Sequence, residues 1–165
     1  MGKDVDRHSA NAPGGQVAGT YAADPEPLEP QAWFRALGKL AERITDAPSD
    51  QHETLLRHAY HLLQLTPRPL RRVVRPDLSE QRYEELLECG AFESAAIGLV
   101  GHPITYTIFR PESGLLEAQV HLPGPARPIM ARAPSLTMAL LSAWTQCLVG
   151  LEGGSTPGPL AAVKS

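Results

Sequence analysis

Hydrophobic and polar residues alternate most regularly between Leu116 and Leu122, in the second half of the chain. A period of two is typical of a β-strand that buries one face. Residues 104–110 alternate in a similar way, and the Pro-Glu-Ser-Gly sequence at 111–114 suits a turn. This stretch therefore predicts two antiparallel strands with one buried face and one wetter face.

Two flanking segments extend the predicted sheet. Residues 93–101 are small and apolar, with alternate residues of the range 95–99 on one side of an extended chain, and they predict an earlier strand. Residues 127–132 are a candidate for one more strand. Because Pro128 lacks a backbone N–H, this strand is expected at an edge of the sheet.

The sheet is followed by a long helix without charge. Residues 136–149 carry hydrophobic side chains at helical spacing, Pro134 precedes them at the expected first helical position, and Gly150 ends them. No charged residue occurs between Arg132 and Glu152. The run barely reaches the roughly 20 apolar residues of a membrane span and includes several polar side chains, so a buried core helix is predicted.

This last helix is hydrophobic on more than one side. Such a helix is expected to be buried twice, either beneath the N-terminal helices or against a second copy of the chain. We predict that four of its residues bind a protein partner or a second copy, namely Met138, Leu141, Trp144 and Leu148.

The first half of the chain predicts a helical hairpin. A first amphipathic helix starts near Pro30 and carries one hydrophobic stripe as far as Ile44. A second helix places the hydrophobic residues of the range 55–63 on its inner side. Because only a short loop joins the two helices, they are expected to pack antiparallel.

Two pairs of residues have the spacing of a capping box, in which each side chain reaches the backbone amide of the other. Asp50 and Glu53 are expected to begin the second helix of the hairpin. Asp77 and Glu80 are expected to begin a third helix, which ends near Glu88.

Together these elements predict an α+β fold. An N-terminal helical hairpin is followed by an α-β-β-β-(β)-α unit, in which a small antiparallel sheet packs on a long C-terminal helix. A chain of 165 residues suits one domain, or a small domain with an appended helical unit. The expected order is a disordered tail, the hairpin, an Arg/Pro-rich connector, the α+β unit and a flexible tail, at residues 1–28, 29–66, 67–76, 77–150 and 151–165.

Net charge and the composition of the first residues exclude some cellular locations and some classes of partner. A net charge of −3 gives the whole chain no attraction to nucleic acid or to an anionic membrane. The first residues lack the hydrophobic region of a signal peptide. We therefore expect a cytoplasmic protein without membrane association, in which Cys89 and Cys147 are reduced and largely buried.

Three histidines are the nearest approach to a metal motif. His52, His58 and His61 lie on the second helix, with Glu53 beside the first of them. A zincin helix needs a second histidine four residues after the first, and that position is Leu56. Surface and half-buried histidines explain this group better, so no metal ion and no cofactor is predicted. A metal- or thiol-dependent enzyme is the third-ranked alternative.

An arginine-rich segment is the strongest candidate for a polar binding site. Arg68, Arg71, Arg72 and Arg75 fall within eight residues and are able to bind phosphates or an acidic partner surface. The competing interpretation is internal neutralisation by the acidic residues that follow, which are Asp77, Glu80, Glu84, Glu85 and Glu88. Internal neutralisation is preferred, because most charge clusters on small proteins are solvated or locally paired.

Residues 133–143, Ala-Pro-Ser-Leu-Thr-Met-Ala-Leu-Leu-Ser-Ala, form an Ala/Leu-rich helix opened by a proline after a sheet. In this respect residues 77–149 resemble small uncharacterised prophage-type proteins of the α-β sandwich sort. The resemblance implies a fold and carries over no functional residues.

The first hypothesis for function is a non-enzymatic cytoplasmic interaction protein of phage or bacterial accessory type. It would bind a protein partner or itself through the uncharged helix and the adjoining sheet. The alternative is a nucleic-acid-associated protein that uses the arginine-rich segment.

Overall fold

The computed structural model describes residues 25–45, 47–112, 114–123 and 127–152. Most of both predicted tails lies outside these residues. The described residues form five helices and one antiparallel sheet, which confirms the α+β class. The elements are α1 (Pro30–Thr45), α2 (His52–Gln64), α3 (Glu80–Glu88), α4 (Phe92–Val100), β1 (Thr105–Phe109), β2 (Leu116–His121), β3 (Ile129–Ala133) and α5 (Leu136–Val149).

Helix α5 is the centre of the fold. Of its fourteen residues, ten are buried. Strands β2 and β3 pack on one part of its surface, and α1 and α4 pack on other parts. The helix is therefore buried twice, as predicted, and the N-terminal hairpin supplies the second cover. Because α5 lies between them, the hairpin and the sheet share one hydrophobic core.

The predicted hairpin of α1 and α2 is confirmed. The Trp33 side chain is fully buried, and its indole Nε1 donates a hydrogen bond to the Leu62 carbonyl oxygen at 2.7 Å. Helix α3 packs against α2 and α4, and the rings of Tyr60 on α2 and Tyr83 on α3 stack with their centroids 4.3 Å apart.

The sheet has the order β1-β2-β3, with both pairs antiparallel. Ala118 and Val120 are buried on the inner face of β2, toward α5. Strand β3 confirms the candidate edge strand, and Pro128 lies just before it. Strand β1 forms the opposite edge, and all five of its residues are exposed.

The predicted strand at residues 93–101 is wrong, because this segment forms α4. Its buried residues Ala95, Ala96, Leu99 and Val100 recur at the spacing of one helix face. Alanine also has the highest helix propensity. Gly98 lies so close under the side chain of Leu78 that a Cβ atom there would contact Leu78 Cγ at 2.9 Å.

Neither predicted capping box forms. Helix α3 is capped by Ser79, whose Oγ accepts a hydrogen bond from the Arg82 N–H at 3.3 Å. Asp77 instead accepts a hydrogen bond from the His102 N–H at 3.0 Å, which joins the start of the third-helix region to the start of the sheet.

The other two helix starts also differ from the predictions. A 3₁₀ turn at Ser49–Gln51 runs directly into α2, which has no side-chain cap. Helix α5 begins at Leu136 rather than at Pro134, and Ser135 caps it by accepting a hydrogen bond from the Met138 N–H at 3.3 Å.

Candidate functional site

The four residues predicted to bind a partner lie in the protein's own core. Met138 is 6% exposed, and Leu141, Trp144 and Leu148 are at most 1% exposed. The prediction is corrected on this point, because a partner could reach these side chains only if α5 left its place between the sheet and α1. The helix is uncharged because the rest of the chain covers it.

Exposed hydrophobic side chains are concentrated instead on strand β1. Six large hydrophobic residues are exposed in the described part of the chain, and three of them are Tyr106, Ile108 and Phe109. Tyr106 pairs with Val120 and Ile108 pairs with Ala118, so both point to the inner face of the sheet. Both nevertheless remain 37% exposed, because α5 packs on β2 and β3 and does not cover β1.

Strand β1 also has a free hydrogen-bonding edge. It pairs with β2 on one side, and no described strand pairs with its other side. Natural proteins usually protect such edges with charged residues or proline. The sequence Thr-Tyr-Thr-Ile-Phe of β1 contains neither. Within the part of the chain that the structure describes, the edge therefore offers unpaired backbone donors and acceptors beside an apolar inner face.

The outer face of the sheet has a different character. Arg132 on β3 binds Glu117 on β2, with the Arg132 Nε 2.6 Å from the carboxylate. Phe109 pairs with Glu117 and lies on the same face, where it is 46% exposed. Met130 is exposed there too, so charged and apolar groups are mixed on this side.

The arginine-rich segment is accessible. Arg68, Arg72 and Arg75 are exposed, and none of their three side chains makes a hydrogen bond or ion pair within the described ranges. The Arg71 side chain is partly buried, and its Nε donates a hydrogen bond to the Thr66 carbonyl oxygen at 3.1 Å. Three of the four guanidinium groups are thus free to meet another molecule.

The neighbouring carboxylates do not pair with these arginines. Glu84 binds Arg57 on α2, and Glu85 binds Arg82 within α3. The sequence favoured neutralisation of these arginines by the acidic residues that follow. This does not occur through direct ion pairs in the part of the chain that the structure describes.

A cleft of about 570 Å³ adjoins the arginine-rich segment. Arg71 and Arg75 line it together with the acidic residues Asp77 and Glu80. Tyr60 also lines it, and the Tyr60 hydroxyl donates a hydrogen bond to the Leu78 carbonyl oxygen at 3.1 Å. Because both signs of charge line the cleft, it does not select strongly for an anion.

The three histidines of α2 do not converge. His52 lies 3.4 Å from the Ser135 hydroxyl, and His58 Nδ1 lies 2.9 Å from an Arg43 guanidinium nitrogen on α1. Burial, then Arg43 and His61, lower the pKa of His58. No group of three His, Cys, Asp or Glu side chains able to hold a metal ion occurs among the described residues.

The two cysteines differ in environment. Cys89 is exposed at the end of α3, which corrects the prediction that both thiols are largely buried. Cys147 is buried on α5, and burial raises the pKa of its thiol to about 11. A thiol of this kind stays protonated near neutral pH and is a poor nucleophile.

A second cleft, of about 400 Å³, lies where the N-terminal ends of α4 and α5 meet His52 of α2. No local sequence pattern marks this site, because its residues come from three distant segments. The weak signals were a serine in each of the two helix starts, at Ser94 and Ser135, and a threonine in the first turn of an uncharged helix, at Thr137.

No helix in the described residues is long and apolar enough to cross a membrane. No model of a known protein family matches this chain, and no curated protein or solved structure matches it either.

Proposed function

We propose that this chain is a non-enzymatic cytoplasmic protein that works by protein interaction, and that strand β1 pairs with β1 of a second copy. The observation that carries the proposal is that β1 forms an exposed, uncharged edge, on which the side chains of Tyr106 and Ile108 are also exposed. The contact surface is thus the sheet of the original hypothesis, without the buried helix.

The strand is complementary to itself. When two copies of β1 run antiparallel about Thr107, Tyr106 of each copy lies opposite Ile108 of the other, and Thr105 lies opposite Phe109. Both Tyr106 and Ile108 belong to the inner face, so this register joins like face to like face. A shift by one residue would place apolar inner-face side chains opposite outer-face residues.

The lack of charge on β1 also favours a second copy of the chain as its partner. Residues 105–109 carry no charge, so two copies meet without like-charge repulsion at the contact. The product would be a continuous six-stranded sheet with the two α5 helices on the same face. Such a contact is isologous, as most homodimer contacts are.

The contact is small. A stable interface usually buries about 800 Å² on each partner, and an edge of five residues falls short of this. We therefore expect a weak dimer, with a dissociation constant of roughly 10–100 μM.

Sedimentation velocity over a range of protein concentrations tests the proposal. The wild-type chain is expected to shift from monomer to dimer as concentration rises through this range. Ile108→Lys should abolish the dimer, because it places a charge on the inner edge of the contact. Met130→Lys is the matched control, since Met130 is exposed on the outer face of β3 and should leave the dimer intact.

A wild-type chain that remains monomeric at the highest concentration overturns the self-pairing. If a lysate protein then binds the wild-type chain and Met130→Lys but not Ile108→Lys, the occupant of the edge is a strand of another protein.

Nucleic-acid association through the arginine-rich segment is the second candidate function. The observation in its favour is that Arg68, Arg72 and Arg75 are exposed and that their side chains have no partner among the described residues. Three phosphate contacts would give a slope of about −2.7 in a plot of log affinity against log salt concentration on duplex DNA. A variant with these three arginines replaced by alanine should lose that binding, whereas Ile108→Lys should keep it.

A further inference from the structure

The first turn of α4 presents backbone donors to the 400 Å³ cleft. Helix α4 starts at Phe92 after Ala91, and it has no side-chain cap. The first N–H groups of a helix have no partner within the helix. The N–H groups of Phe92, Glu93 and Ser94 therefore face this end of the helix, and all three residues line the cleft.

The start of α5 reaches the same cleft. Its cap, Ser135, lines the cleft and uses its hydroxyl oxygen to accept the Met138 N–H. Thr137 lies between Ser135 and Met138 in the first helical turn and also lines the cleft. The positive ends of two helix dipoles thus meet at one cavity, a setting that favours an anion.

The Thr137 side chain provides an independent sign of a ligand. Thr137 is only 2% exposed, yet its hydroxyl makes no hydrogen bond in the described part of the chain. The one side-chain polar atom there that is both fully enclosed and unpartnered is the Trp144 Nε1. The Thr137 hydroxyl therefore retains some accessible surface, and because the residue lines the cleft, this hydroxyl is able to donate a hydrogen bond to a ligand there.

His52 lines the same cleft. Its Nε2 lies 3.4 Å from the Ser135 hydroxyl oxygen, and the Phe92 ring packs edge-on against the imidazole at 6.1 Å between centroids. These contacts hold the imidazole among the residues that line the cavity, where a ring nitrogen can donate to a ligand oxygen.

We propose that the N-terminal ends of α4 and α5, with Thr137, Ser94 and His52, bind a small oxyanion such as a phosphate or carboxylate group. Arginine and lysine are missing from the residues that line the cleft, and Glu93 is the one acidic side chain among them. The anion would be held by neutral donors, and the Glu93 carboxylate would weaken its binding by like-charge repulsion.

The test uses the full chain and follows backbone amides by two-dimensional ¹H–¹⁵N NMR during titration. Sodium phosphate and sodium acetate are the probes, and sodium chloride at equal ionic strength corrects for salt. We expect saturable shifts at the amides of Phe92, Glu93, Ser94 and Thr137, with a dissociation constant of roughly 1–10 mM for the preferred probe. Comparison of the two probes shows whether the site prefers a phosphate-type or a carboxylate-type group.

Three variants test whether the residues of the cleft determine the affinity for the anion. Thr137→Val keeps the shape of the side chain and should weaken binding about fivefold, the effect of one hydrogen bond. Ser94→Ala, at an exposed position that does not threaten folding, should weaken it about threefold. Glu93→Gln should strengthen binding about threefold by removing the like charge. Thr45→Val, exposed in the last turn of α1, is the control and should change nothing.

The proposal is overturned if neither probe gives saturable shifts at these amides beyond those caused by chloride. It is equally overturned if the shifts occur but Thr137→Val, Ser94→Ala and Glu93→Gln all leave the affinity as it is in the wild type. The site is independent of strand β1, so Ile108→Lys should not alter these titrations.

Discussion

The Arg57 guanidinium joins α2 to α3 by binding the Glu84 carboxylate, with Nη2 2.7 Å from Oε2 and Nε 3.2 Å from Oε1. Paired hydrogen bonds of this kind are stronger than those of most surface ion pairs. We expect Glu84→Gln to lower the free energy of unfolding at pH 7 by about 1 kcal/mol, since both side chains remain about one-third exposed. Urea denaturation measures the change.

Glu85→Gln is the matched control, because Glu85 pairs only within α3, with the exposed Arg82, and should show no measurable change. The pH dependence follows from the hydrogen bonds of Arg57, which lower the pKa of Glu84. A lowered pKa contributes stability above the ordinary carboxyl value, near 4.3, and that stability is lost as the pH falls through the folded-state value. The wild-type chain and Glu84→Gln should therefore have similar free energies of unfolding at acidic pH. A difference between them that persists unchanged at pH 3 contradicts this account.

Two buried tryptophans differ in one hydrogen bond. Trp33 Nε1 donates to the Leu62 carbonyl oxygen, whereas Trp144 Nε1 is buried without a partner among the described residues. Replacement by phenylalanine removes a similar volume at both positions, but only at Trp33 does it leave a carbonyl oxygen unpaired. We expect Trp33→Phe to cost about 1–2 kcal/mol more in the free energy of unfolding than Trp144→Phe. Equal costs in urea denaturation would show that the indole hydrogen bond does not stabilise the hairpin.

Substitution by alanine is expected to have opposite effects on stability at two helical glycines. Apart from its chain neighbours and the backbone of its own helix, Gly38 on α1 has no atom within 4 Å of the position of an added Cβ, so Gly38→Ala should stabilise the protein by up to about 1 kcal/mol. At Gly98 the added Cβ would collide with the Leu78 side chain, and displacing Leu78 should cost about 1–3 kcal/mol. The net effect of Gly98→Ala is therefore expected to be destabilising in urea denaturation. A stabilising Gly98→Ala would show that Leu78 moves away without loss.

Sequence periodicity predicted the elements whose hydrophobic pattern fits only one period. Helices α1 and α2 have long stripes at helical spacing, and β2 has clean alternation. The segment 93–101 failed because it is short and almost wholly apolar. Its residues fit one side of a strand as well as they fit the face of α4, and nine residues are too few to separate the two periods.

The candidate sites were harder to predict than the elements. Alternation places Tyr106 and Ile108 on the inner face, but it does not say whether a helix covers that strand. The uncharged surface of α5 likewise has two explanations, a partner or the protein's own core, and only the packing of α1 and the sheet decides between them. The cleft at Thr137 depends on how distant segments meet, which no local pattern encodes.

The two thiols should react at very different rates. Cys89 is exposed, whereas Cys147 is 5% exposed on α5 and burial raises the pKa of its thiol to about 11. Because only the thiolate attacks a disulfide reagent, the aromatic disulfide DTNB at pH 8 should titrate one thiol per native chain and two in guanidinium chloride. Cys89→Ser should remove the native reaction and leave one thiol in denaturant. A native Cys89→Ser chain that still reacts quickly would mean that α5 leaves its place between the sheet and α1, and the partner role first assigned to Met138, Leu141, Trp144 and Leu148 would then regain a physical basis.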